Sequence, residues 1–313
     1  MLVTRSPATL PRPAHGLCLA LGMFDGVHLG HQHVLRHAIV HASTVAGAAV
    51  ALTFDPHPLS VVRPDRAPRL LQSLPQRLRA IEALGLDAAL VIPFTTALAA
   101  LEGRAFIETL LRETGRIRSL SVGEGFQFGR DRTGTVDLLR ALGDGHGFHV
   151  HVAPPVSLGG EVVSSSRIRS HLRAGALDEA SELLGRPYAV SARVIAGDAR
   201  GRTLGFPTAN LDVAGLELPT GGVFAVRIRR IAAGTDHPGV LNLGTRPTVS
   251  PDGGPLRCEV HLLDFAGDLY GEELEATFVE RLRGEQRFPD AEALKSQITA
   301  DVAAARHALN SGV

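Results

Sequence analysis

In the first half of the chain apolar residues gather in short runs, unbroken at 18–21 and 88–92, broken only by Thr53 at 48–54 and alternating with serine at 119–122, separated by stretches in which they recur every three or four positions. A continuous apolar run of this length suits a strand buried on both faces, and the longer spacing suits a helix with one buried stripe. Helices are therefore expected from about Gly30, where Val34, Leu35, Ala38 and Ile39 share a face, and at 75–84, 103–114 and 135–142. Strands alternating with helices predict an α/β unit: a parallel sheet flanked by helices.

Beyond Gly185-Arg186-Pro187 the texture changes. Strand-like runs at 188–195, 223–231, 240–243, 257–263 and 274–278 are divided by Gly, Pro and Asp turns, which predicts a small antiparallel β-barrel. The tail, 290–309, places Leu294, Ile298, Val302 and Ala305 on one helical face and is expected to pack on that barrel. The expected domains are 1–186 and 187–313, and a length of 313 residues suits two cores better than one.

Composition narrows the function. Lys plus Arg equal Asp plus Glu at 32 each, so no whole-molecule field gathers nucleic acid or an anionic membrane, and any phosphate must be recognised locally. Neither is expected as a partner, and the oligomeric state stays open. Cys18 and Cys258 are expected to be small buried side chains, and they lack the spacing of a disulfide framework or a metal cage. The first 21 residues carry Arg5, Arg12 and three prolines in place of the apolar core of a signal peptide, and no stretch is long and apolar enough to span a bilayer. A cytoplasmic setting is expected.

The run Gly22-Met23-Phe24-Asp25-Gly26-Val27-His28-Leu29-Gly30-His31 lies where a strand hands over to a helix. Glycines there let backbone approach phosphate, the helix start supplies free N–H groups, and His28 and His31 can donate to oxygens as charge develops. Taken alone, an H-x-x-H pair also caps helices or binds zinc, although zinc would need further ligands. A second candidate is Ser164-Ser165-Ser166-Arg167-Ile168-Arg169, three hydroxyls and a guanidinium at a helix start, which either grips a triphosphate or serves as an N-cap. A third is Gly197 to Gly205, with Gly201 and Arg202 inside it, followed by Phe206-Pro207-Thr208-Ala209-Asn210: a glycine loop against a rigid corner, with two neutral oxygens suited to Mg²⁺. On the strand around Glu259, alternation turns Glu259 and His261 to one face, which fits either an exposed charge or a working carboxylate.

These segments resemble the motifs of the bifunctional riboflavin kinase/FAD synthetase family, in that family's order from about Leu21 to about Arg306. G-x-F-D-G-x-H-x-G-H is similar to its adenylyltransferase signature, Thr53-Phe54-Asp55-Pro56-His57-Pro58 to a second motif, and Val122-Gly123-Glu124-Gly125-Phe126-Gln127-Phe128-Gly129 to a third. The serine run is similar to I-S-S-T-x-I-R, and Gly201-Arg202-Thr203-Leu204-Gly205-Phe206-Pro207-Thr208-Ala209-Asn210 to the riboflavin kinase signature.

The resemblance implies a Rossmann-like nucleotidyltransferase domain followed by a riboflavin kinase barrel. It implies that riboflavin and ATP give FMN, that FMN and ATP give FAD, and that both steps use Mg²⁺. Catalytic roles fall on His28, His31, Arg169 and Glu259. Nucleotide contacts fall on Gly22, Phe24, Asp25, Gly26, Gly30, Ser164, Ser165, Ser166, Gly197, Gly201, Arg202, Gly205 and Pro207. Flavin contacts fall on Gly125, Phe126, Phe128, Asn242, Arg283 and Glu285, and metal contacts on Thr208 and Asn210. Gly125 stands where the family carries Asp or Asn, so a riboflavin kinase with a weakened second site is an alternative, as is a flavin-binding regulator without catalysis.

Overall fold

The computed structural model describes residues 1–197, 201, 205–245 and 256–310. The chain divides into two compact units, Met1–Arg69 with Leu74–Ser165, and Leu70–Ser73 with Ser166–Val313. The elements of the first run β1 (Leu2–Thr4), β2 (Leu17–Leu21), α1 (Leu29–Val45), β3 (Ala48–Asp55), α2 (Pro58–Val62), α3 (Leu74–Glu82), β4 (Ala88–Pro93), α4 (Thr96–Ala99), α5 (Gly103–Thr114), β5 (Ile117–Gly123), α6 (Val136–His146) and β6 (His149–Ala153), then a short hairpin of β7 (Ser157–Leu158) and β8 (Glu161–Val162).

Strands β1 to β6 form one parallel sheet in the order β1-β4-β3-β2-β5-β6. Alternation along each strand sorts the core into two layers. Leu17, Leu19, Leu21, Val50 and Leu52 pack against Phe106, Ile107 and Leu110 of α5 and Leu139 and Leu142 of α6. The opposite face, Cys18, Ala20, Ala49 and Ala51, receives Val34, Leu35, Ala38 and Ala42 of α1. Small residues on this second face let α1 lie close to the sheet, which holds its first turn at the carboxyl end of β2. The two edge strands, β1 and β6, carry no unbroken apolar run: β6 reads His-Val-His-Val-Ala. An edge strand is covered only in part, so its sequence need not be apolar throughout.

The second unit contains α7 (Ser165–Ala174), assigned here from Ser166 onward, α8 (Leu177–Leu184), β9 (Ala189–Ile195), β10 (Ala209–Leu211), β11 (Gly222–Arg230), β12 (Thr235–Thr245), β13 (Leu256–Leu262), β14 (Glu273–Arg283) and α9 (Ala291–Asn310). The six strands close into a barrel in the order β10-β13-β12-β11-β14-β9, antiparallel at every pairing. Phe224, Val226, Leu241, Val260 and Phe278 are buried and face inward, and the Phe224 and Phe278 rings meet edge to face at 5.2 Å. Closure satisfies the strand edges without a second sheet.

Helix α9 covers the outer face of Val223, Ala225 and Val240 with Ala305 and Leu309. So small an apolar footprint, one Leu and one Ala fully buried, contributes only roughly 2–3 kcal/mol. The helix is also pinned by Arg283, whose Nε and Nη2 donate to both Asp301 oxygens at 2.9 and 2.8 Å while Gln297 Nε2 donates to Asp301 Oδ1 at 2.9 Å. Elsewhere in the unit, Leu70 forms a parallel bridge to Leu216, and Tyr188 Oη donates to the carbonyls of Leu71 and Glu217 at 3.2 and 2.5 Å.

Candidate active sites

In the first unit the turn between β2 and α1 winds so tightly that Phe24 and Val27 take left-handed backbone, φ 51° and 41°, beside Gly26 at 89°. For a β-branched residue such as Val27 this is unusual and costs of the order of 1–3 kcal/mol. The turn is held against that cost from several sides. Val27 N–H donates to Phe24 O at 3.1 Å, Gln32 Nε2 donates to Val27 O at 3.0 Å, and Thr53 Oγ1 donates to Met23 O at 2.9 Å. Arg77, buried on α3, donates to Met23 O at 2.9 Å and to Phe54 O at 3.1 Å. Burial lowers the pKa of that guanidinium, and the carboxylates of Asp25 and Asp55 pull it back up.

The turn delivers the two imidazoles as a pair. His28 caps α1, its Nδ1 accepting from His31 N–H at 3.3 Å, and the two rings stack with centroids 3.6 Å apart. Because Nδ1 accepts, a neutral His28 carries its proton on Nε2, where it is a donor. Phe24, fully buried, meets the His31 ring edge-on at 5.5 Å. Gly22 and Gly30 are places of close approach: a Cβ on Gly22 would strike the Phe24 ring at 2.8 Å, and one on Gly30 would crowd the His28 ring at 3.2 Å. Ser165 Oγ donates to Asp25 O at 2.9 Å, so the serine run meets the same turn. Ser164 is half-buried just before α7; Ser166 and Arg169 lie on α7 in the second unit, Arg169 buried.

Downstream of β5, Phe126 and Phe128 stack at 5.4 Å, and Phe128 meets Phe106 at 6.0 Å. A Cβ on the exposed Gly125 would meet nothing within 4 Å, so the position has room for a side chain.

In the second unit, barrel register gathers residues far apart in sequence. Glu259 on β13 pairs with Asn210 on β10 and with Asn242 on β12. Paired residues project to the same face about 4.5–5.5 Å apart at Cβ, so a carboxylate stands between two carboxamides on the outer surface of the barrel. Arg257 Nη1 donates to Glu259 Oε1 at 3.4 Å, and His261 on the same face approaches Pro207 O through Nδ1 at 2.7 Å, holding the corner that presents Thr208. The neighbouring Cys258 points inward, and burial pushes its thiol up to about 12, which leaves it inert.

Two glycines make this cradle possible. The Gly197 backbone lies against the Asn210 carboxamide, and a Cβ on Gly201 would crowd Phe206 O and come within 3.0 Å of Thr208 Oγ1. Gly205 takes φ 88°, which favours glycine. Arg202 lies outside the described residues, as do 198–200 and 246–248. A cavity of about 300 Å³ opens beside Thr208, walled by Val194, Val260, Leu262, Phe265 and Tyr270 among others. The guanidinium of Arg283 is engaged by Asp301, and Glu285 lies against the Gly221 and Gly244 backbone.

Arg77, Gln32 and His261 are supports that motif reading passes over. Arg77 left one signal, a cation on the apolar stripe of a helix; His261 left none beyond its alternation with Glu259.

A family model for FAD synthetase matches residues 11–167, and one for riboflavin kinase matches residues 184–309. The bifunctional riboflavin kinase/FMN adenylyltransferase of Pseudomonas fluorescens is 41% identical over 296 residues, 94% of this chain and 94% of its own. The one from Escherichia coli strain K12 is 39% identical over 294 residues, 94% of this chain and 93% of its own. A crystal structure of a protein named a macrolide-efflux protein, from Streptococcus pneumoniae, aligns with a TM-score of 0.80 at 28% identity and covers 97% of this chain and 98% of its own. Among the described residues no helix is long and apolar enough to cross a membrane. With both family models matched in tandem and relatives similar along nearly their whole length, the chain belongs to the bifunctional riboflavin kinase/FMN adenylyltransferase family.

Proposed function

We propose that the chain makes FMN from riboflavin and ATP on its barrel, and FAD from FMN and ATP on its parallel sheet, with the functional division at 186/187. The observation that supports this reading is that each unit gathers its own set of polar groups: stacked imidazoles on the turn that Ser165 bonds in one, and Glu259 between Asn210 and Asn242 in the other.

On the barrel, Glu259 accepts the proton of the ribityl 5′-hydroxyl as that oxygen attacks the γ-phosphorus and ADP departs. Thr208 and Asn210 offer hard, neutral oxygens beside a carboxylate, a donor set that fits Mg²⁺. Held there, the ion would supply positive charge to the phosphates. Gly197, Gly201, Gly205 and Pro207 shape the phosphate loop, Arg202 contributes a positive charge for the nucleotide, and the cavity beside Thr208 is large enough for a flat base. Asn242, Arg283 and Glu285 order the flavin side, Arg283 acting through the α9 pin.

On the sheet, an oxygen of the FMN phosphate attacks the α-phosphorus of ATP and pyrophosphate leaves. His28 and His31 donate to the oxygens that gain charge, the glycine turn with Phe24 and Asp25 positions the nucleotide, and the hydroxyls of residues 164–166 with Arg169 hold the departing pyrophosphate. No covalent intermediate is required, since positioning and charge stabilisation suffice. Phe126 and Phe128 provide an aromatic surface for the isoalloxazine. The buried free thiols of Cys18 and Cys258 suit a reducing, cytoplasmic setting.

The test is direct. Full-length protein with ATP and Mg²⁺ is given riboflavin or, separately, FMN, and the products are separated by chromatography. FMN followed by FAD is expected; no turnover of either flavin would overturn the proposal. The open space at Gly125 supports one second reading, a kinase with a weak adenylyltransferase, and accumulation of FMN without FAD would select it.

A further inference from the structure

Five histidines outside both candidate sites meet between α1 and β6. His33, His37 and His41 stand one helical turn apart on one face of α1, and His149 and His151 stand two apart on one face of β6. Their ring centroids lie 4.8 Å apart for His33–His37, 6.3 Å for His37–His151, 4.7 Å for His41–His151 and 6.2 Å for His41–His149. Two imidazoles bound to one ion at about 2.0–2.1 Å place their centroids roughly 4.5–6.5 Å apart, depending on the angle at the metal. No group of three donors among the described residues stands preassembled. His37, His41 and His151 are half-buried, and coordination of one ion requires their rings to rotate toward a common point.

We propose that this face binds a borderline divalent metal ion, Zn²⁺, Ni²⁺ or Cu²⁺, through His37, His41 and His151, with His33 and His149 as flanking donors. Two features carry the assignment. The Nε2 of His151 is buried and has no hydrogen-bond partner among the described residues, an orphan acceptor or donor that a ligand would satisfy. His41 Nδ1 lies 2.8 Å from Ser119 Oγ and 3.4 Å from Cys18 Sγ, which leaves Nε2 as the nitrogen for an outside ligand; a hydrogen bond from the other ring nitrogen is how metal-bound histidines are usually oriented.

The donor chemistry selects the ion. The groups that meet here are imidazoles, and among the described residues no carboxylate is hydrogen-bonded or ion-paired to them. Neutral nitrogen donors favour Zn²⁺, Ni²⁺ or Cu²⁺ over the hard, oxygen-seeking Mg²⁺ of the phosphate sites. The site is separate from the His28–His31 pair at the start of the same helix, so it stands or falls apart from the proposed reactions.

Zinc binding to the full-length chain is measured by calorimetric titration in the parent, in the His37→Ala/His151→Ala double variant and in His31→Ala. Saturable binding in the parent and in His31→Ala, weakened at least about tenfold in the double variant, is expected. Unchanged binding in the double variant, or loss only in His31→Ala, would assign the ion to the catalytic turn and overturn the proposal. Should the double variant fail to fold, imidazole ¹⁵N spectra of the parent decide. Zn²⁺ but not Mg²⁺ should move the Nε2 signals of His41 and His151, and shifts confined to His28 and His31 would sink the idea.

Discussion

The two candidate sites are built in opposite ways. The sheet site is made from one continuous turn, 22–31, whose residues are neighbours in sequence and whose backbone is bent into left-handed conformations at Phe24 and Val27. The barrel site is made from residues on three strands, Asn210, Asn242 and Glu259, each in ordinary extended backbone and brought level only by register. The first therefore stores strain and needs buried supports such as Arg77 and Gln32; the second needs a closed barrel, and with it the α9 pin. What differs is where damage would spread: from the supports into one turn, or from the barrel wall into a whole rung.

Glu259→Ala should break the barrel site most sharply, lowering FMN formation about 10²- to 10⁴-fold while FAD formation from supplied FMN continues. Undiminished kinase turnover would remove Glu259 from the base role. Replacing His28 and His31 together by Ala should lower FAD formation about 10²- to 10³-fold with riboflavin phosphorylation spared. Equal losses in both assays would instead point to unfolding.

Stability separates the supports. Asp301→Ala leaves the Arg283 guanidinium without its buried partner and should cost about 3–5 kcal/mol in denaturant unfolding followed through the barrel. A cost under about 1 kcal/mol would mean that α9 docks without the pin. Arg77→Met should cost less, about 1–3 kcal/mol, because Met23 O keeps its bond from Thr53 and the loss falls mainly on Phe54 O. It should also weaken adenylyl transfer before phosphorylation, a split that kinetic assays of the two half-reactions would reveal. The smallest structural effect belongs to Gly125→Asn, whose side chain enters open space; stability should stay within about 0.5 kcal/mol. Any change should be confined to the KM for FMN, and a fall in kinase activity would contradict the separation of the two sites.

The glycine-histidine turn was legible from sequence because its chemistry is local: strand, turn and helix start are fixed by residues within ten positions. So were strands β2 to β4, whose nearly unbroken apolar runs suit a sheet buried on both faces, and β5, where Leu120 and Val122 alternate with small buried serines. Edge strands β1 and β6 were not, since half-covered strands carry no such run. Glu259 could be placed on a strand face, but alternation alone left it a surface charge or a working carboxylate.

The amino-acid order by itself determined two units, their classes, and the tight turn proposed as the first unit's phosphate site, because periodicity and glycine placement act over short stretches of chain. Tertiary structure alone decided that Asn210, Glu259 and Asn242 share a rung, that Arg77 supports the turn, that Arg283 pins a helix, and that five histidines meet across α1 and β6. The physical reason is that strand register and side-chain burial are settled by packing between distant segments, and a single sequence holds no local record of which distant residue will stand opposite.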